Sequence, residues 1–192
     1  MTDPAATQHT WSWGRVARRI RVPIGFLFAA FYLWRARPDW TTLIVGGMVA
    51  AAGIFVRAMA SGHVRKNEQL ATTGPYAYTR NPLYMGSVII ALGFAIASRD
   101  AWIAAGMAAL FAAIYVPVIR SEEAYLLQQF SEYRDYARQV PRLLPRTIRF
   151  RGLTSGFSGQ LYRQHREYNA AIGAAAMLAA LIVKMLWFPG PW

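Results

Sequence analysis

The sequence predicts an all-α protein, an integral membrane helical bundle of about five transmembrane helices with one cytoplasmic amphipathic helix. Three observations predict it. Of the 192 residues, 55% are hydrophobic and only 16% are charged. The apolar residues are gathered into five runs, as is typical of membrane spans. The net charge of +12 comes mainly from arginines in alternate loops between those runs.

The first apolar run is short and the last is rich in small residues. The first has 13 residues, fewer than the roughly 20 that a span needs, so we expect its flanking arginines to extend toward the headgroups. The last run is rich in Ala and Gly, as helix-packing faces in lipid tend to be. Only Ser98-Arg99-Asp100 separates the third run from the fourth, which predicts a tight helical hairpin. In order, the runs are Val22–Trp34, Trp40–Val56, Leu83–Ala97, Ala101–Ile119 and Asn169–Phe188.

The positions of the arginines predict the orientation. If the five runs cross the membrane in alternation, one face carries 17 of the 21 lysines and arginines. The other face carries Arg35, Arg37 and Arg99, and Lys184 lies inside the fifth run. The crowded face is expected to be cytoplasmic, at a bacterial inner membrane. The same rule explains the net charge without nucleic acid, and the N-terminal sequence lacks the pattern of a cleaved signal peptide.

Three regions are expected along the chain: a basic arm 1–21, a membrane core 22–145, and a linker with an extra transmembrane helix at 146–192. After the fourth run, apolar residues recur at helical spacing opposite a charged side. This pattern predicts an amphipathic helix Glu122–Val140 at the membrane surface, ended by Pro141.

Composition excludes several kinds of site. The chain has no cysteine, which excludes disulfides, thiolate zinc sites and cysteine nucleophiles. Its histidines are His9, His63 and His165, and no two have the spacing of metal ligands on a helix. We therefore predict no metal site.

The polar segment GPYAYTRNPLYMGS, residues 74–87, stands at the mouth of the third apolar run. Its Gly-Pro pair predicts a turn, and Pro82 suits the first turn of a helix. The backbone N–H groups at that helix start can bind an anion. The tyrosines Tyr76, Tyr78 and Tyr84 are expected nearby.

Across the hairpin, Arg120, Glu122 and Glu123 leave the fourth run on the same side of the membrane. Each element also has an ordinary explanation: interfacial tyrosines anchor helices, loop arginines follow the positive-inside rule, and the carboxylates can be solvated surface. His63 is more often a surface or capping residue than a catalytic one. Together, however, aromatic rings, a helix start, an arginine and two carboxylates predict a site at the membrane surface.

Two stretches, EQLATTGPYAYTRNPLYMG and RSEEAYLLQQFSEYRDYARQVPRLLP, resemble the isoprenylcysteine carboxyl methyltransferase and phospholipid N-methyltransferase superfamily. The shared pattern is a leucine, Gly-x-Tyr, Arg-His/Asn-Pro-x-Tyr, an apolar hairpin, a Glu-Glu pair, Phe-Gly-x-x-Tyr and an arginine-proline motif. The resemblance covers residues 57–145. Matching positions are Leu70, Gly74, Tyr76, Arg80, Asn81, Pro82, Tyr84, Glu122, Glu123, Phe130, Tyr133, Tyr136, Val140, Pro141 and Pro145.

The resemblance implies S-adenosyl-L-methionine as cofactor, bound without a Rossmann fold between residues 63–86 and 120–145. Arg120 lies near the superfamily's substrate-binding arginine and would orient the acceptor. An amine acceptor would also need a catalytic base, for which Glu123 or a tyrosine is the candidate. No metal is implied. By position, the cofactor-binding residues would be Glu68, Gln69, Leu70, Ala71, Tyr76, Asn81, Pro82, Leu83, Tyr84 and Glu122.

Three departures weaken an assignment to protein carboxyl methylation. Asn81 and Glu68 stand where the carboxyl methyltransferases have histidines, and Ser131 replaces a glycine. The resemblance implies a lipid-like or isoprenoid-bearing acceptor, a membrane lipid or lipidated small molecule, whose reactive group is a carboxylate or an amine. Its apolar tail would enter sideways from the bilayer while its head meets the cofactor, whose sulfonium tyrosine faces can hold by cation–π attraction.

Two alternatives stay open. One is a membrane reductase of the sterol-reductase type that uses NADPH, although this chain offers no second sterol-binding half. The other is a non-catalytic membrane scaffold, which would tolerate loss of the candidate site residues. Titration with S-adenosylhomocysteine and with NADPH distinguishes the three. The sequence gives no indication of oligomeric state.

Overall fold

The computed structural model describes residues 13–65, 68–145 and 156–187, with side chains of the first helix from Pro23 onward. Throughout these residues the regular secondary structure is helical, which confirms the predicted all-α fold. A short 3-10 helix covers Gly74–Ala77. The helices are α1 (Trp13–Arg35), α2 (Trp40–Ser61), α3 (Pro82–Ser98), α4 (Ala101–Gln129), α5 (Tyr133–Gln139), α6 (Gly159–Gln164) and α7 (Tyr168–Trp187).

Three of these helices, α2, α4 and α7, are long and apolar enough to cross a membrane. Helix α3 is also apolar but has 17 residues, and α1 has 23 residues with four arginines in its first half. Large apolar side chains cover the outside of the bundle, which a surface facing water rarely shows. The chain is thus an integral membrane protein, and crossing by α1 and α3 stays a prediction. On the helices, the most exposed of these side chains are Phe26, Leu27, Trp34, Trp102 and Trp187.

Contacts between helix ends establish that the long helices alternate in direction. At one end, Arg35 Nε lies 2.9 Å from Asp100 Oδ2, so the end of α1 meets the start of α4. Lys184 of α7 donates to the carbonyls of Leu33, Trp34 and Ala36 at 2.7–2.8 Å. It thereby satisfies carbonyls that the end of α1 leaves without helical partners. At the other end, which we call the site end, α2 finishes and α3 and α7 begin.

Helices α2 and α3 pack with their backbones in contact because facing glycines leave no side chain between them. A Cβ at Gly53 would lie 2.7 Å from the carbonyl oxygen of Gly86. Gly46 meets Gly93 in the same way, seven residues away on each helix. Small residues at such crossings are typical of membrane helix pairs. This close pairing fixes where α3 begins.

Two expected boundaries differ in the structure. Helix α1 begins at Trp13, so the second half of the predicted basic arm is helical. The predicted helix Glu122–Val140 is divided, because its first part continues α4 to Gln129 and α5 begins only at Tyr133. The break is at Phe130, whose extended backbone turns the chain back over the site end. Residues 1–12 of the arm, 146–155 of the linker and 188–192 at the C-terminal end lie outside the described residues.

Candidate functional site

A cavity of about 320 Å³ opens at the site end, between the 3-10 helix, the start of α3, the end of α4 and α5. That volume is within the range of small-molecule sites. The cavity is lined by Val64, Arg65, Gln69, Leu70, Ala71, Tyr76, Arg80, Asn81, Pro82, Leu83, Tyr84, Glu122, Tyr125, Leu126, Phe130, Tyr133 and Tyr136.

The turn that carries Tyr76 depends on a glycine and a histidine behind it. Gly74 has φ +58, a left-handed conformation that favours glycine, and a Cβ there would contact the His63 ring. His63 is buried, and its Nδ1 lies 2.7 Å from the Met59 carbonyl oxygen. It supports the turn from behind and is not among the residues that line the cavity.

Residues 79–81 are fixed by hydrogen bonds to the segment after α5. The Arg80 amide donates to the Pro141 carbonyl at 2.9 Å. The Thr79 hydroxyl and the Asn81 side-chain amide donate to the Arg142 carbonyl at 3.2 and 2.9 Å. Asn81 precedes Pro82, the first residue of α3, as the sequence predicted. The start of α3 is therefore attached to the segment that follows α5 as well as to its own loop.

Glu123 is the centre of a buried ionic network behind the cavity. Its side chain is 7% exposed, and it accepts from Arg142 at 2.8 Å and from Asn81 at 3.1 Å. Arg80 Nη1 lies 3.4 Å from the same carboxylate. With these partners around it, the carboxylate connects α4, the start of α3 and the segment after α5.

Glu122 has the opposite placement, on the cavity side of α4. It is exposed and accepts a 2.8 Å hydrogen bond from the Tyr84 hydroxyl. The Tyr84 ring meets the Tyr115 ring edge-on, with 5.8 Å between centroids. The cavity thus has one accessible carboxylate beside an aromatic wall.

Burial or partial burial favours the neutral phenol at three tyrosines of the cavity. Burial raises the pKa of Tyr76 well above its usual value, and the nearby Tyr136 and Glu122 add to the effect. Burial likewise raises the pKa of Tyr133 and of Tyr136. The Tyr136 hydroxyl donates to the Tyr76 carbonyl at 2.7 Å, which ties α5 to the 3-10 helix.

Two buried polar atoms that line this region lack a hydrogen-bond partner within the described part of the chain. They are the hydroxyl of Tyr133 and Nε of Arg80. A buried polar group without a partner costs free energy. Both residues line the cavity, but these two atoms are themselves covered by protein, and Arg80 lies beside the Tyr133 hydroxyl.

Most residues predicted for the cofactor come together in this cavity. All of them except Glu68 are in its lining. Arg120 is exposed and Glu123 lies behind the wall, so neither predicted catalytic residue lines the cavity. Their roles stay predictions, as does binding by the others.

Part of the wall is not predicted from the sequence. Arg80, Phe130, Tyr133 and Tyr136 match the superfamily pattern without an implied binding role, although the repeated aromatic residues are a signal for one. Nothing in the sequence indicates that Arg142 contacts Glu123. Within the described ranges no group of His, Asp and Glu could hold a metal ion, and the absence of a metal site stays a prediction.

Comparison with known proteins gives a family and two relatives. Residues 40–133 match the family described as phospholipid methyltransferase. The chain is 33% identical over 141 residues to the cobalt-zinc-cadmium resistance protein CzcN of Cupriavidus metallidurans, covering 69% of this chain and 64% of that protein. It is 41% identical over 119 residues to the nickel-cobalt-cadmium resistance protein NccN of Alcaligenes xylosoxydans xylosoxydans, covering 62% and 55%. The chain thus spans less than two thirds of either relative, and no solved structure matches it.

Proposed function

Because this chain belongs, through residues 40–133, to the superfamily of phospholipid and isoprenylcysteine carboxyl methyltransferases, we propose that it methylates a membrane amphiphile. The methyl donor would be S-adenosyl-L-methionine, and the acceptor would carry a carboxylate or an amine. One observation carries the proposal. All but one of the positions implied for the cofactor, although scattered from Gln69 to Glu122, line a single cavity, and only Glu68 lies outside it.

The residues present fit the charges of this cofactor. Glu122 and the neutral rings of Tyr76 and Tyr84 suit its amino and sulfonium groups, since a carboxylate pairs with an ammonium and ring faces attract cations. Arg80 and the Tyr133 hydroxyl suit its carboxylate. When bound, the cofactor would supply an electrophilic methyl group for an in-line displacement.

The chain's own contribution would be to position the reactants and exclude water. Glu123 would act as a positioning residue, because it fixes Arg80 on one side and Arg142 on the other. Phe130 would help to cover the cavity from the side of α5. We propose that Arg120, exposed on α4, acts on the lipid head group at the membrane surface rather than on the cofactor.

The setting proposed for this reaction is the cytoplasmic face of a bacterial inner membrane. The arginine distribution favours that face, and both relatives are bacterial proteins named for metal resistance. We propose that methylation of a membrane component serves cells exposed to such metals. Direct metal binding has no support in the described residues, which offer no cluster of ligands.

Calorimetric titration of the purified protein tests the cofactor. S-adenosylhomocysteine should bind and NADPH should not. Glu122→Gln should weaken binding by about 1.5–3 kcal/mol through loss of a charge-assisted bond, and Tyr76→Ala by about 1–2 kcal/mol through loss of a desolvated ring face. Glu132→Gln, an exposed carboxylate outside the lining, is the matched control and should leave affinity unchanged.

Unchanged affinity in both site variants would refute the site, and NADPH binding in place of S-adenosylhomocysteine would favour the reductase alternative.

A labelling experiment identifies the methyl acceptor. Membranes containing the protein are incubated with cofactor labelled in its methyl group, and the extracted lipids are separated. A labelled species that is absent with Glu122→Gln identifies the acceptor.

A further inference from the structure

A second cavity, of about 380 Å³, lies between α1, α3, α4 and α7, with Arg57 of α2 at one end. We call it the groove. Its lining changes in polarity along its length: Arg57, Ser87 and Asn169 lie at the site end, while the deeper wall is apolar. From Ser87 to Phe94 the groove follows about 10 Å of α3. The apolar part includes Phe28, Phe94, Met107 and Met177.

The polar end of the groove is adjacent to the first cavity. Tyr115 lines the groove and Tyr84 lines the first cavity, and their rings are in edge-on contact at 5.8 Å. Tyr115 ends a π-helical turn of α4, Phe111–Tyr115, a local irregularity that is frequent at functional sites. One aromatic pair therefore stands at the boundary between the two spaces.

The charges at the polar end are already paired. Arg57 bonds the Glu167 carboxylate at 2.8–3.0 Å and donates to Ser87 Oγ at 2.6 Å and to the Leu83 carbonyl at 3.2 Å. With this arginine paired and the deeper wall apolar, the groove does not suit a charged ligand, since an unpaired charge there would be costly. It suits a hydrocarbon chain.

Two glycines of the lining, one on α1 and one on α7, leave open space beside them in the groove. A Cβ at Gly25 of α1 or at Gly173 of α7 would meet no atom within 4 Å. Both glycines line the groove, so a larger side chain at either position would enter the space without striking the protein. Both also lie outside residues 40–133, the part of the chain that matches the family.

We propose that the groove takes one hydrocarbon chain of the methyl acceptor, with the head group at the Tyr84–Tyr115 pair. This inference rests on the proposed function. Helices α1 and α7 form the wall that selects among hydrocarbon chains, and Gly25 and Gly173 are specificity-determining positions. Selection of the acceptor's hydrocarbon chain then depends on segments of the protein outside the family match.

Photo-crosslinking tests occupancy without the cofactor. The protein is placed in phosphatidylcholine nanodiscs with trace palmitic acid or hexadecylamine, each carrying a diazirine on its chain, and labelled residues are mapped by mass spectrometry. Label should concentrate on groove residues such as Met107 and Met177. Gly173→Phe should reduce that label at least fivefold, and Gly25→Phe should do the same from the other wall. Ala175→Phe, exposed on α7 outside the groove lining, is the matched control and should not reduce it.

A second arm tests specificity in turnover. Methylation of a long-chain acceptor found by lipid extraction should fall at least tenfold in kcat/KM with Gly173→Phe. A short-chain analogue should lose less than twofold, and the affinity for S-adenosylhomocysteine should be unchanged.

The outcomes separate the two proposals. The label could instead be spread equally over groove residues and lipid-facing residues such as Leu27 and Ile172, and be unaffected by Gly173→Phe. That result would mean contact with bulk lipid only and would overturn the proposal that the groove binds a hydrocarbon chain. Groove-specific label in a protein that does not bind S-adenosylhomocysteine would support the groove and refute the methyltransferase. A preference for one head group distinguishes the carboxylate from the amine.

Discussion

Glu122 and Glu123 are neighbours in sequence with opposite environments. One accepts from a tyrosine at an accessible cavity wall, and the other is buried between two arginines. Because successive helical residues are about 100° apart, α4 directs one carboxylate to the cavity and the other to the network that supports it. Neutralising Glu122 should therefore affect ligand binding, whereas neutralising Glu123 should affect stability.

Glu123→Gln should destabilise the protein by about 3 kcal/mol, near the low end for breaking a buried ion pair because Arg142 is half exposed. It leaves two arginines without their shared carboxylate and loosens residues 79–81. Thermal unfolding in detergent measures this, and Glu122→Gln should show almost no change. Loss of turnover in Glu123→Gln with full stability and full affinity for S-adenosylhomocysteine would instead favour the predicted role as a base.

The buried tyrosines predict sensitivity to alkaline pH. Their folded pKa values lie above the unfolded value of about 10, so the fold favours the neutral phenols. Their contribution to stability is fully present below pH 10 and is lost as pH rises beyond it. Unfolding free energy should be insensitive to these groups from pH 7 to 9 and should fall above pH 10. Tyr76→Phe, which cannot ionise, should show a shallower fall; an identical profile would argue against burial of that hydroxyl.

At the scale of elements, the close packing of α2 on α3 positions the cavity. Gly53→Ala would place a methyl group 2.7 Å from backbone atoms of Gly86 and Ile90, and overpacking of this kind costs about 1–3 kcal/mol. We expect a lower Tm and weaker cofactor binding, since the start of α3 would move. Gly47→Ala on the same helix is the control, because its Cβ would meet only Leu178 at an ordinary 3.7 Å. Equal Tm values for the two variants would contradict this packing.

The Arg57–Glu167 pair connects the residue before α7 to the start of α3 at the site end. Arg57 also donates to the carbonyl of Leu83 in the first turn of α3. Glu167→Gln should therefore weaken binding of S-adenosylhomocysteine, although Glu167 does not line the cavity, and should lower the Tm. Combining Glu167→Gln with Arg57→Gln should cost less than the two single changes added together, because the pair is coupled. Additive effects would show that the pair does not act as a unit.

At the scale of the whole molecule, five alternating helices predict a definite topology. Reporter domains fused after Pro38, Arg99 and Trp187 should report the outer side, and one fused after Leu144 the cytoplasmic side. The reason is the excess of basic residues in the loops that meet at the site end. A cytoplasmic signal after Pro38 would mean that α1 does not cross, and one after Trp187 would refute alternation through α7.

The sequence by itself determined what depends on local pattern. Apolar runs and arginine spacing predicted the helices and their alternation, because burial in lipid and the positive-inside rule act on segments of the chain. Gly74 and Pro82 predicted the turn and the helix start, because their backbone preferences are local. The superfamily pattern then predicted most of the cavity lining.

The tertiary structure decided which side chains meet. That Glu123 holds Arg80 and Arg142 follows from how α4 crosses the start of α3, which neither segment encodes alone. Apolar residues continue at helical spacing past Phe130, yet the helix breaks there. The extended backbone at Phe130 turns the chain, and its side chain lines the cavity. The groove brings Gly25 and Gly173, almost 150 residues apart in the sequence, into one lining. Such contacts depend on how whole helices pack against one another, and the spacing of residues along the sequence does not predict that packing.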